Sequence, residues 1–163
     1  MKDFAAAFRA GQIAAKNAEL AKSQIEEVLK AVDNGLQTAT DGKLRIYAAD
    51  SSAAAQSLFI MAQSVNRLTG RSDPAPVKEQ SIFARNMRAI NKASIRIARW
   101  TVPHEGFPCV LGYSGQEVRC HDRAGLEAAF SDLLSDPWVG EQLGGLLALE
   151  MQEPLTDGDL EEF

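Results

Sequence analysis

The chain has 163 residues and a formal net charge of -5, with 45% hydrophobic and 24% charged residues. This length is enough for one globular domain, or at most two small ones, that folds without disulfides or a structural metal. The composition excludes a fully disordered chain, a collagen-like chain and a disulfide scaffold. No apolar run approaches the length of a membrane span, and the N-terminus lacks the pattern of a signal peptide. We therefore expect a cytoplasmic globular protein that does not associate with a membrane.

The charged residues are distributed unevenly along the chain. Residues 51–100 carry eight basic and two acidic side chains, whereas residues 101–163 carry two basic and thirteen acidic ones. Segments of opposite charge attract each other or attract different partners. The sequence therefore leaves two interpretations open, namely neutralisation within the fold and separate binding functions for the two segments.

The first segment has the pattern of a long helix. Non-polar residues recur alternately three and four positions apart, which is the spacing of a heptad seam and predicts a helix over residues 2–33, ended by Asn34-Gly35. Small residues in its early part let a partner helix approach closely. The apolar face is too broad for a two-stranded coil, so we expect a multi-helix bundle or packing on the rest of the chain. The predicted oligomer interface consists of Phe4, Ala7, Gly11, Ala14, Ala18, Ala21, Ile25 and Val28.

The next segment predicts a hairpin, a helix and a linker. Leu36–Thr40 and Lys43–Ala48 flank Asp41-Gly42, a dipeptide typical of a type I′ turn between antiparallel strands. A second helix is expected to follow as far as Gly70. Residues 71–77 contain two prolines and predict a linker.

The basic middle of the chain predicts a third helix, from Lys78 to about Ala93. Ser94–Val102 is either its continuation or a strand. On one continuous helix, six basic residues fall within about 80° of arc. Such a ridge is typical of a helix that contacts nucleic-acid phosphates. The alternatives are that the ridge binds an acidic protein segment or that it is simply exposed to solvent. The six residues are Lys78, Arg85, Arg88, Lys92, Arg96 and Arg99.

The following residues predict a second hairpin and two helices. Phe107–Tyr113 and Glu117–His121 are the expected strands, joined by the three residues Ser114-Gly115-Gln116. Asp122 is expected to cap a fourth helix, and Pro137 is expected to begin a fifth. Because the predicted strands form two pairs and do not alternate with helices, the fold class is α+β.

The acidic C-terminal segment ends in an aromatic residue. Asp157–Phe163 resembles the acidic tails of single-stranded DNA-binding proteins, which end in phenylalanine and recruit partners. The resemblance covers only this segment, because the upstream sequence does not predict an oligonucleotide-binding barrel. Phe163 and the terminal carboxylate can dock into a basic-rimmed apolar pocket of a partner, but the sequence slightly favours the other interpretation, a disordered, solubilising end.

Residues with reactive or metal-binding side chains are few. The expected three-residue loop pairs Cys109 with His121, and Cys120 and His121 point to opposite faces of their strand. We therefore expect two buried, reduced thiols and no metal site or cofactor. Gly112–Gly115 departs from a nucleophile elbow, and a hydrolase site at His104–Cys109 is only a remote third hypothesis.

The sequence as a whole predicts an α+β fold with an N-terminal association helix (residues 1–34), an α+β domain (residues 35–150) and an acidic tail (residues 151–163). In this prediction two short antiparallel hairpins pack with several helices. The predicted function is that of a non-catalytic assembly protein, which forms a homo-oligomer through its N-terminal helix. The alternative is a nucleic-acid-binding protein whose basic helix (residues 78–99) is modulated by the acidic tail.

Overall fold

The computed structural model describes residues 1–50, 79–90 and 93–149. These residues form an α+β fold in which one antiparallel sheet has five strands in the order β1-β2-β3-β4-β5, so each strand pairs with its neighbours in sequence. The second expected hairpin is present within this sheet, where Cys109–Tyr113 pairs with Gln116–Cys120, so the strands do not form two separate hairpins. The strands are β1 (Leu44–Asp50), β2 (Gln80–Asn86), β3 (Ser94–Thr101), β4 (Cys109–Tyr113) and β5 (Gln116–Cys120).

Three described helices accompany the sheet, namely α1 (Phe4–Ala39), α2 (Arg123–Ser135) and α3 (Pro137–Leu147). None of these helices is long and apolar enough to cross a lipid bilayer. The C-terminal part of α1 packs along β1, α2 packs on β4 and β5, and α3 packs on β2 and β3. All three contribute buried residues to one hydrophobic core.

Aspartates begin all three described helices. The carboxylates of Asp3, Asp122 and Asp136 accept hydrogen bonds from backbone N–H groups of the following turn. These N–H groups have no partner within the helix, so the cap satisfies them. The cap expected from the sequence, Asp122 before α2, is confirmed, and so is the expected start of α3 at Pro137.

The end of α1 lies five residues beyond the predicted stop. The helix passes through Asn34-Gly35 and ends at Ala39, so the expected strand over Leu36–Thr40 is wrong. Leu36 packs against the core, and this contact outweighs the modest cost of a glycine within the helix. Asp41-Gly42 does form a turn, with φ of 53° and 76°, but it connects a helix to a strand.

The predicted third helix is also wrong, because β2 and the turn after it occupy its described residues. In β2 the side chains alternate between two environments, and Ile82 and Ala84 are fully buried in the core. The neighbouring strands β1 and β3 bury side chains on this same face of the sheet. Packing on that face stabilises a strand here, although the basic residues have the spacing of a helix. Ser94–Val102, which the sequence left open, is a strand over Ser94–Thr101. The second predicted helix and the linker lie outside the described residues.

One face of the sheet packs against the helices. Strand register aligns buried side chains in rows across the sheet, as in Trp100, Leu111 and Val118 on three consecutive strands. The Trp100 ring lies 5.8 Å from that of Phe130 on α2, measured between ring centroids. This contact joins the middle of the sheet to the helical layer.

A carboxylate connects α1 to the edge of the sheet. Asp33 is 8% exposed and accepts a 2.9 Å hydrogen bond from the backbone N–H of Ile46 in β1. The Arg45 guanidinium donates to both carboxylate oxygens, from Nε at 3.1 Å and 3.0 Å and from Nη2 at 2.9 Å. The hydrogen bond and charge of Asp33 raise the pKa of Arg45. These bonds fix the position of α1 along the sheet edge.

We predict that Asp33→Ala lowers the free energy of unfolding by about 2–3 kcal/mol, because it removes a largely buried, charge-assisted network. Glu27→Ala is the matched control, since Glu27 also lies on α1 and pairs with an arginine, Arg123, but is exposed. That substitution should cost less than about 1 kcal/mol. Urea denaturation measures both values, and equal losses would contradict the anchoring role of Asp33.

Candidate functional site

The N-terminal half of α1 extends past the rest of the described fold. Every residue from Met1 to Asn17 is exposed, although the helix begins at Phe4. Three large apolar side chains in this half are exposed by more than half, namely Phe4 (77%), Phe8 (67%) and Ile13 (62%). The helix is 36 residues long, or about 54 Å. Roughly half of that length therefore has no partner among the described residues.

The exposed stripe continues the stripe that is buried farther along the helix. Ala18 is the first buried residue, and Ile25 and Val28 lie in the core. Ala21 is half-buried beside Gly106, where an added Cβ would lie 2.6 Å from the Cβ of Ala21. The same helical face thus packs within the chain from Ala18 onward and is uncovered before it.

The predicted oligomer interface is therefore divided in two. Ala18, Ile25 and Val28 belong to the chain's own interior and are not available to a partner. The four remaining exposed positions lie in the N-terminal half and form what we call the α1 stripe. The α1 stripe consists of Phe4, Ala7, Gly11 and Ala14, with Phe8 beside it.

The predicted basic ridge does not exist as a helical face. Lys78 and Lys92 lie outside the described residues, and Arg88 is exposed in the turn after β2. Arg85, Arg96 and Arg99 lie on strands instead. The sheet register nevertheless brings these three to a common face, the one opposite the helices.

The pairing register of the strands determines which side chains share this face of the sheet. Arg85 pairs with Arg45 of β1, Phe83 pairs with Arg96, and Ser81 pairs with Arg99, so all these side chains point the same way. Arg119 joins them on β5, two strands from Thr101 of β3. We call this set the arginine face, and it consists of Arg45, Arg85, Arg96, Arg99 and Arg119.

Arg45 and Arg119 belong to the arginine face but not to the predicted basic ridge. Both alternate with buried residues, Arg45 between Leu44 and Ile46 and Arg119 before Cys120. That period of two is the signal that would have placed them on the side of the strands that faces away from the core.

Two aromatic rings lie within the arginine face. The Tyr47 and Phe83 rings stack with centroids 5.7 Å apart and planes 18° from parallel. The guanidinium carbon of Arg85 lies 5.2 Å from the Tyr47 ring centroid, and Arg85 Nη2 donates a 3.3 Å hydrogen bond to the Tyr47 hydroxyl. A cation over an aromatic face is favourable, so this cluster is pre-ordered.

The cysteines lie on the opposite, core-facing side. Ser114-Gly115 forms a two-residue turn with φ of 47° and 73°, so Cys109 pairs with Cys120 and the expected pairing with His121 is wrong. Both thiols are free and buried. Burial raises the pKa of the Cys109 thiol to about 12, with a further contribution from Cys120, and burial also raises the pKa of Cys120.

The other predicted chemical groups do not converge with the thiols. His104, Glu105 and His121 are exposed, whereas Cys109 and Cys120 are buried. Within residues 1–50, 79–90 and 93–149, no cluster of three or more histidine, cysteine or acidic side chains has the arrangement of a metal site. Phe163 and the acidic tail lie outside the described residues.

The buried Cys109 predicts a pH dependence of stability. An unfolded cysteine ionises near its ordinary pKa of 9.0, whereas the folded thiol holds its proton to about pH 12. Above pH 9 the unfolded state therefore releases a proton that the folded state retains, and stability falls as the pH rises. One thiol contributes a slope of up to about 1.4 kcal/mol per pH unit.

Urea titrations over a series of alkaline pH values measure this slope. It should be shallower in Cys109→Ala than in wild type, whatever the absolute stability of the variant. An unchanged slope would contradict the buried, protonated state of Cys109.

Comparisons with protein-family models, curated proteins and solved structures find no match to this chain. The function is accordingly inferred from the α1 stripe and the arginine face themselves.

Proposed function

We propose that the protein is a non-catalytic assembly protein that self-associates through the α1 stripe. The observation that carries this proposal is the exposure of Phe4 and Phe8 on a helix of which every residue up to Asn17 is exposed in the described fold. The exposed part of the helix, residues 4–17, has about the length at which an isolated helix is only marginally stable in water, and most helical stability in proteins comes from packing of an apolar face. A partner surface would supply that packing.

Small side chains favour a second α1 helix as the partner. Ala7, Gly11 and Ala14 recur at helical spacing, and among the described residues an added Cβ at Gly11 would meet nothing within 4 Å. Packing within the described part of the chain therefore gives no reason for a glycine there, whereas a helix crossing at close range does. The two phenylalanines would fill the space beside the crossing, and burying each contributes about 1.5–3 kcal/mol.

The same stripe on two copies is self-complementary, as a two-fold interface requires. Ile13 points away from the α1 stripe, on the side of the helix that also carries Arg9 and Lys16. These two cations remain in water when the stripe is covered. A homo-oligomer of this kind needs no cofactor and no catalytic group.

We predict that Ala14→Glu reduces the oligomer to a monomer without unfolding the chain. Ala14 is exposed in the single chain, so the glutamate costs nothing there, but a carboxylate within a helix–helix contact would be desolvated and unpaired. Ala6→Glu is the matched control, because it introduces the same charge on the other side of the same exposed half. Ala18 is unsuitable for this test, since it is buried in its own chain.

Light scattering coupled to size-exclusion chromatography measures the mass of each form. Wild type and Ala6→Glu should share a mass that is a multiple of the monomer mass, and Ala14→Glu should elute as the monomer with an unchanged circular dichroism spectrum. A monomeric wild type at high concentration would overturn the proposed function.

A further inference from the structure

We propose that the arginine face binds single-stranded nucleic acid, a function independent of self-association through α1. The proposal rests on three features of the described strands. These are the number of arginines that share one face, the incomplete pairing of those arginines with acidic side chains of the described residues, and the aromatic rings among them.

A β-bulge aligns two of the arginines. Arg96 and Arg99 are three positions apart and would lie on opposite faces of a regular strand. The register between β2 and β3 shifts at Ile82/Phe83, so that Phe83 pairs with Arg96 while Ile82 pairs with Ala98. The additional residue, Ile97, is buried with Ala98 in the core. The bulge therefore keeps both arginines on the same face, as bulges often do when they redirect side chains.

The cations on this face are only partly balanced. Arg45 is paired with Asp33, and Arg99 lies 3.9 Å from Glu117, at the outer limit of an ion pair between exposed side chains. Arg96 and Arg119 are exposed and form no ion pair with any acidic side chain of the described residues. Local positive potential of this kind recruits an anionic partner despite the negative charge of the whole chain.

Two polar atoms on the same face lack partners. Among the described residues, Ser81 Oγ and Arg85 Nε are the buried side-chain polar atoms without a hydrogen-bond partner. Both belong to alternate positions of β2 on the arginine face. Both atoms are buried, and Ser81 is 0% exposed, so a ligand on this face would contact the exposed Arg96, Arg99 and Arg119 side chains and not these two atoms.

The aromatic rings distinguish nucleic acid from other polyanions. Tyr47 and Phe83 are partly exposed and lie between the Arg85 and Arg96 positions in the register. Unpaired bases stack on aromatic side chains and arginine planes while arginines contact the phosphates. An acidic peptide would use only the charges. A broad sheet face is also not the shape of an element that enters a duplex groove, so single strands are the expected ligand.

Fluorescence anisotropy of a labelled oligothymidylate, about 20 nucleotides long, tests the proposal with the full-length chain at low salt. Wild type should bind, and a duplex of equal length should bind at least about tenfold more weakly. Arg96→Glu and Arg119→Glu should each weaken binding about tenfold or more. Lys30→Glu is the matched control, because Lys30 is exposed on α1 and the change in charge is identical; its affinity should stay within about twofold of wild type.

Two further variants separate phosphate contacts from stacking and carry little risk of unfolding. Arg96→Gln should reduce the slope of log affinity against log salt by about 0.7, the value for one phosphate contact on a single strand. Phe83→Leu should lower affinity several-fold while leaving that slope unchanged, since stacking releases no counterions. No binding by wild type at low salt would overturn the proposal. Equal competition by polyglutamate of matched charge would also overturn it, by identifying the face as a site for acidic protein segments.

Discussion

The Asp33 carboxylate sets the position of α1 along the sheet edge, and the exposure of the α1 stripe depends on this position. This carboxylate accepts a hydrogen bond from the backbone N–H of Ile46, which no neighbouring strand pairs, and hydrogen bonds from the Arg45 guanidinium. The carboxylate itself is largely buried. An edge strand normally presents such N–H groups to other chains, and here a helix occupies this one. Because the contact lies near the end of α1, it assigns the C-terminal half of the helix to the core. The first 17 residues are left without a partner in the described fold.

The chain thus separates its apolar and cationic surfaces. The α1 stripe is small, apolar and at the far end of a long helix, whereas the arginine face lies on the side of the sheet turned away from all three described helices. Covering the α1 stripe with a second copy would not require either arginine face to be buried. An oligomer would then present two or more such faces, and a ligand that spans them would bind with a higher effective affinity than a single face allows.

Local signals in the sequence predicted the parts of the fold that depend on local chemistry. Asp122 and Pro137 correctly indicated the starts of α2 and α3, because a cap and a first-turn proline act on groups within the same turn. The end of α1 was not predictable in this way, since Leu36 packs against a core assembled from distant strands. β2 was likewise misassigned because its basic residues repeat with helical spacing. The arginine face depends on register and on one bulge, so the sequence indicated its charge but not its geometry. The α1 stripe was predicted as far as Ala14, and only burial showed where the stripe enters the chain's own core.

The central claim, that a second copy covers the first half of α1, is tested most directly by amide hydrogen exchange at low and high protein concentration. Residues 4–17 of an uncovered helix should exchange quickly, whereas residues 24–36 are held by the core at any concentration. The account predicts that protection of residues 4–17 rises with concentration towards that of residues 24–36. Fast exchange of residues 4–17 at every concentration would contradict it.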